Sequence, residues 1–127
     1  FGRRLTRAKQ NKGARGEEKA CDFLQGQGYR ILERNYRCRL GEMDIIAREG
    51  RTVVFVEVKA RSSERFGLPQ EAIGPQKRRR MTAIALCYLK SKGWLGEPAR
   101  FDVAAVSLDS ASETVTLYRN AFDATGF

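Results

Sequence analysis

Two ionisable side chains interrupt one of the longest apolar runs of the chain. In Val53-Val54-Phe55-Val56-Glu57-Val58-Lys59-Ala60, β-branched and aromatic residues predict a strand. Strand parity puts Val53, Phe55, Glu57 and Lys59 on one face and Val54, Val56, Val58 and Ala60 on the other. Glu49-Gly50 breaks the chain just before this run. If Arg48 pairs with Val53 across that turn, the same antiparallel register sets Asp44 opposite Glu57, with Cβ atoms roughly 4.5–5.5 Å apart. Facing like charges destabilise a sheet, so the pair makes better physical sense with a cation between the carboxylates. Oxygen-only ligation favours Mg2+ or Mn2+, held by one or two carboxylates together with waters and substrate phosphate. Lys59, one pleat beyond Glu57, is placed to hold or polarise an attacking water and to offset charge on a phosphate.

Glu17 is a second, independent clue. Helical spacing sets it on the stripe of Ala20, Cys21 and Leu24, where a carboxylate is out of character and needs a partner. If the first helix packs over the sheet face carrying Asp44 and Glu57, Glu17 could complete a metal shell or orient a metal-bound water. Plainer readings stand beside these. Asp44, Glu57 and Lys59 would also suit an ion-pair ladder on a solvated sheet face, against which the burial implied by Val53 and Phe55 counts. Glu17 could instead be a first-turn acid at the positive end of its helix. Glu42 shares a strand face with Asp44 but sits at the strand's start, where solvent or an arginine would satisfy it.

Further along, Lys77, Arg78, Arg79 and Arg80 open a helix with consecutive cations. They read either as a solvated charged turn or, with Arg37, Arg39, Arg61 and Arg65, as phosphate contacts. Tyr36, Phe66 and Trp94 could stack on bases or belong to the core.

The elements that must position these residues follow from periodicity and punctuation. A helix is predicted over about 15–27, stopped by Gly26 and Gly28. Extended stretches follow at 29–36, 42–48 and 52–60. A second helix over about 76–92 starts behind Pro75, carries Met81, Ile84, Ala85, Tyr88 and Leu89 on one face and stops at Gly93. Two more strands are predicted at 100–108 and 114–119. The order αβββαββ describes an α/β layer fold, a mixed sheet with helices packed on it. Residues 1–13 are basic and poor in large apolar groups, so a mobile arm is expected there, with a single folded domain over 14–127.

Composition narrows the chemistry. The chain has 127 residues, enough for one core, and no histidine, which removes Ser-His-Asp and Cys-His nucleophiles and His-ligated zinc. No glycine-rich phosphate loop is present. Lys and Arg number 24 against 15 acids, a net charge of +9, so polyanions such as nucleic acid are the favoured partners. Three cysteines, Cys21, Cys38 and Cys87, lack a metal-type spacing and read as reduced thiols. With no apolar run long enough to span a bilayer, a cytoplasmic protein without a membrane partner is expected.

Gly41-Glu42-Met43-Asp44, Phe55-Val56-Glu57-Val58-Lys59 and Arg100-Phe101-Asp102-Val103 together resemble the YraN-like family of bacterial proteins. The likeness extends through Gly13, Gly16, Glu17, Gly28-Tyr29, Arg34-Asn35, Phe66-Gly67 and Lys77. At a deeper level, Asp44 with Glu57-Val58-Lys59 looks like the restriction-endonuclease-like superfamily, especially archaeal-type Holliday junction resolvases. Met43 stands where many members of that superfamily have a proline. The resemblance implies an α-β-β-β-α-β core in which Glu17, Asp44, Glu57 and Lys59 take the catalytic positions. It also implies a Mg2+ or Mn2+ cofactor bound by Asp44, Glu57 and Glu17, branched DNA as substrate and a homodimer. The expected function is therefore metal-assisted hydrolysis of a DNA phosphodiester. A non-catalytic nucleic-acid-binding module on the same fold, or a basic adaptor for an acidic protein, are the rivals.

Overall fold

The computed structural model describes residues 7–61, 73–109 and 112–124, with the side chains of 7–12, 109 and 112 left out of the description. The elements run α1 (Arg7–Gly26), β1 (Arg30–Cys38), β2 (Gly41–Glu49), β3 (Thr52–Arg61), α2 (Pro75–Lys92), β4 (Ala99–Asp109) and β5 (Ser112–Phe122). This is the expected order. The largest departure is at the start, where α1 begins at Arg7, inside the stretch expected to be an arm. Arg65 and Phe66 lie outside the described residues.

The five strands form one sheet in the order β1-β2-β3-β4-β5. Neighbours are antiparallel except β3 and β4, which run parallel from Val53↔Ala99 to Arg61↔Ser107. A parallel pair needs a crossover, and α2 lies within it. Pro75 occupies the start of α2, where a missing N–H costs nothing. Gly93 ends it with φ 73°, and Trp94 N–H returns to the Leu89 carbonyl at 2.8 Å.

The helices cover opposite faces. Met81, Ile84, Tyr88 and Leu89 of α2 pack on Val53, Phe55, Phe101 and Val103, while Ala20, Cys21 and Leu24 of α1 pack on Val54, Val56, Ala104 and Val106. The parity expected for β3 therefore holds. The conditional placement of α1 is corrected, because α1 covers the face opposite to Phe55. Gly16 is what lets α1 come close: a Cβ there would stand 2.7 Å from the Ala60 Cβ.

Register is the feature that makes a site. Arg48 pairs with Val53 as expected, but the β2–β3 ladder stops at Ile45↔Val56. Beyond that point β2 stays with β1 as far as Gly41↔Cys38, and β3 stays with β4. The two central strands thus fork, with Asp44 on one prong and Glu57 to Arg61 on the other. Alternation also breaks there, since Met43 and Ile46 both join the α2-side core while Ile45 joins the other.

Candidate active site

Asp44 sits at the fork and does part of the work of the missing ladder. Its Oδ2 accepts the Val58 N–H at 2.8 Å, a backbone donor that β2 does not reach. Burial, followed by the charge of Glu57, pushes the Asp44 carboxyl up to about 7; the Val58 N–H pulls the other way, and a hydrogen bond shared with Glu57 and the charge of Glu17 push it further up. The two carboxylates are thus neighbours even though the ladder does not extend to them. The expected pairing of Asp44 with Glu57 is met through side chains and not through strand register.

Glu57 is only 6% exposed. Its Oε2 lies 3.6 Å from Lys59 Nζ and in direct contact with Lys77 Nζ. Lys77 comes from the first turn of α2, a helix end that carries no acid of its own. Cations are unfavourable at that positive end, and the buried charge of Glu57 offsets the cost.

On the other side of the fork, Glu17 lines a cleft of about 250 Å³ with Gly13, Asp44, Val58, Lys59, Ala60 and Arg61. At about 30 Å³ for each water, it has room for several waters or a phosphate group. Glu57 lies behind Asp44, toward α2. Asp44 therefore links two acids that lie on opposite sides of the sheet.

The donor set suits Mg2+ or Mn2+, two adjoining carboxylates with all-oxygen chemistry and an open cleft for water and phosphate. Among the described residues, no three or more His, Cys, Asp or Glu side chains gather closely enough to hold a metal ion by themselves. Glu17 acts on Asp44 through its charge and does not complete a three-carboxylate cluster with Asp44 and Glu57.

The expected phosphate contacts divide. Arg61 lines the cleft. Arg39, Arg79 and Arg80 are exposed, and Arg80 packs beside Gly41 of the β1–β2 turn. Arg37 is exposed and pairs with Glu42 at 2.6 Å, which answers where Glu42 finds its partner. Arg78 turns back, donating to the Ile73 carbonyl at 2.7 Å and lying 5.4 Å from the Phe122 ring. Lys77 faces inward to Glu57, a placement that the run of four cations concealed. The signal was available: Lys77, Met81, Ile84 and Tyr88 recur at helical spacing, so Lys77 heads the core-facing stripe.

Tyr36 and Trp94 meet Tyr88 edge-on at 5.1 and 6.0 Å, and Arg48 covers Trp94 at 4.3 Å, so both rings serve the α2-side core. Cys21, Cys38 and Cys87 are free thiols. No described helix is long and apolar enough to cross a membrane.

A second buried acid was missed. Asp102 is fully buried and accepts from Arg100 Nε at 3.0 Å, Asn120 N–H at 2.9 Å and Tyr29 Oη at 3.3 Å. Arg100 also donates to Glu49 at 2.7 Å, and Arg119 joins the same Glu49 oxygen. This network ties together the β1 start, the β2 end, β4 and β5.

Fold and site define a class: a mixed α/β protein with a five-stranded sheet between two helices and a carboxylate pair, buried Glu57 and partly buried Asp44, where two strands part. The chain belongs to the uncharacterised protein family UPF0102, whose family model matches residues 16–106. That span holds Glu17, Asp44, Glu57, Lys59, Lys77 and Asp102. A UPF0102 protein of Syntrophus aciditrophicus is 53% identical over 111 residues, covering 87% of each chain. One of Moorella thermoacetica is 50% identical over 105 residues, 83% of this chain and 88% of that one. A third, of Caldicellulosiruptor saccharolyticus, is 47% identical over 116 residues, 90% of this chain and 98% of its own.

Proposed function

We propose that the protein is a cytoplasmic endodeoxyribonuclease of restriction-endonuclease-like type that hydrolyses DNA phosphodiesters with Mg2+ or Mn2+. One observation carries this reading, the adjoining Asp44 and Glu57 carboxylates with Lys59 beside Glu57, where Asp44 and Lys59 open onto a cleft between parted strands. Asp44 and Glu57 would hold the cation, which when bound supplies a Lewis acid for the phosphate and acidifies water. Lys59 would stabilise charge developing on the phosphate oxygens. Glu17, across the cleft, would accept a hydrogen bond from the attacking water and hold it in line. The net charge of +9 supplies attraction to the backbone of DNA. Preference for branched DNA, and pairing of two copies to cut two strands, rest on the likeness to junction resolvases.

The rival binding module has one observation in its favour: Glu57 is already neutralised by Lys59 and Lys77. The separating experiment incubates the protein with labelled linear, flap and four-way-junction DNA at low salt, with Mg2+, Mn2+ or chelator. Metal-dependent cleavage lost in Glu57→Ala and Lys59→Ala is the expected result. Intact DNA in every lane, with retention of the junction that needs no metal and survives Asp44→Asn, would establish the binding module instead.

A further inference from the structure

Glu57 carries more positive charge than a metal ligand needs. Its Oε2 faces two ammonium groups, Lys59 Nζ at 3.6 Å and Lys77 Nζ in direct contact. The two lysines differ in freedom. Lys59 is fixed in the β3–β4 ladder opposite Ala105 and has 21% of its side chain exposed. Lys77 reaches in from the end of α2 on a flexible four-carbon stem, with 42% of its side chain exposed. It can leave Glu57 without moving the sheet.

We propose that Lys77 and a divalent cation are alternative partners of the Glu57 carboxylate, so that Lys77 holds the metal position until a DNA phosphate draws its ammonium away. The inference rests on the metal-dependent reading above. An ammonium and a dication on one carboxylate oxygen repel strongly, even at an effective dielectric constant of about 20. Lys77 therefore weakens metal binding in the absence of DNA. A DNA phosphate that meets the exposed Lys77 side chain at the start of α2 offers the ammonium a new acceptor, and its departure leaves Glu57 oxygens to the cation. By linkage, phosphate and metal then strengthen each other's binding. The arrangement would restrain metal loading until substrate is seated, and Lys77 would serve both as counter-ion and as phosphate contact.

The test is a Mn2+ titration without DNA at pH 8, read by the electron paramagnetic resonance of free Mn2+. It compares wild type with Lys77→Met, Lys77→Arg and Glu57→Gln, each checked for folding by circular dichroism. Lys77→Met should bind Mn2+ on the order of tenfold more tightly than wild type, because one repelling charge is gone. Lys77→Arg should stay close to wild type, and Glu57→Gln should bind more weakly. Equal or weaker binding by Lys77→Met, or equally tight binding by Lys77→Arg, would overturn the competition while leaving the metal reading in place. No Mn2+ binding by any of the four proteins would overturn both.

Discussion

Asp44 concentrates the electrostatic cost of the site, because burial and two like charges act on one carboxyl. Its folded value of about 7 stands above the ordinary 3.8, so the folded protein binds a proton there that the unfolded chain has lost. Between those values stability contributed by this group falls as pH rises, and above about 7 the full penalty is present. Asp44→Asn should accordingly raise the melting temperature by a few degrees at pH 8 and by less at pH 5, where only part of the penalty is present because the unfolded carboxyl is ionised and the native one is not. A divalent cation should stabilise wild type at pH 8 and leave Asp44→Asn unmoved, which thermal melts with and without Mn2+ would check. Equal melting of the two proteins at both pH values would refute the raised protonation of Asp44. The same residue shows what the sequence could reveal. An acid in an apolar strand breaks the pattern, and that criterion marks Asp44 and Glu57, yet it marks Asp102 equally. What separates them is invisible in one dimension: Asp102 accepts from Arg100, Tyr29 and Asn120 and is satisfied, whereas Asp44 accepts a single backbone N–H and confronts Glu57.

At the scale of elements, the turn at Gly50 and the period-2 pattern made the β2–β3 register readable, and the Arg48↔Val53 pair follows from them. Alternation says nothing about where a ladder ends, so the fork beyond Ile45↔Val56 was not legible. Nor was the face taken by α1, because both faces of β3 are apolar. The close approach at Gly16 decides that placement and brings Glu17 to the cleft. Gly16→Ala should cost about 1–3 kcal/mol by overpacking against Ala60 and shift Glu17 away. Gly13→Ala, on the same helix with nothing within 4 Å of the new Cβ, should be neutral or stabilising by up to about 1 kcal/mol. Urea denaturation of the two variants checks both signs, and adding Ala60→Gly to Gly16→Ala should recover part of the loss. If Gly16→Ala were as harmless as Gly13→Ala, the contact between α1 and β3 would not be what holds Glu17 in place.

For the whole molecule, the sequence reveals the total charge and hides its distribution. Arg39, Arg79 and Arg80 lie exposed, and Arg80 packs beside Gly41 at the end of the sheet where β2 and β3 part. Arg78, in the same run, is tied to Ile73 and Phe122. Neighbours in sequence should therefore behave differently toward DNA. Removing Arg79 and Arg80 together should lower the slope of log affinity against log salt by about 1–2 on duplex DNA, since each lost phosphate contact takes about 0.9 from it. The melting temperature should barely move. Arg78→Ala should do the reverse, costing on the order of 1 kcal/mol of stability through its lost hydrogen bond and leaving the salt slope alone. Fluorescence anisotropy across a salt series, paired with melts, separates the two effects. A slope that ignores Arg79 and Arg80 would mean that DNA does not lie across this end of the sheet. The basic surface there would then be better matched to an acidic protein, and DNA would bind weakly and without dependence on its structure.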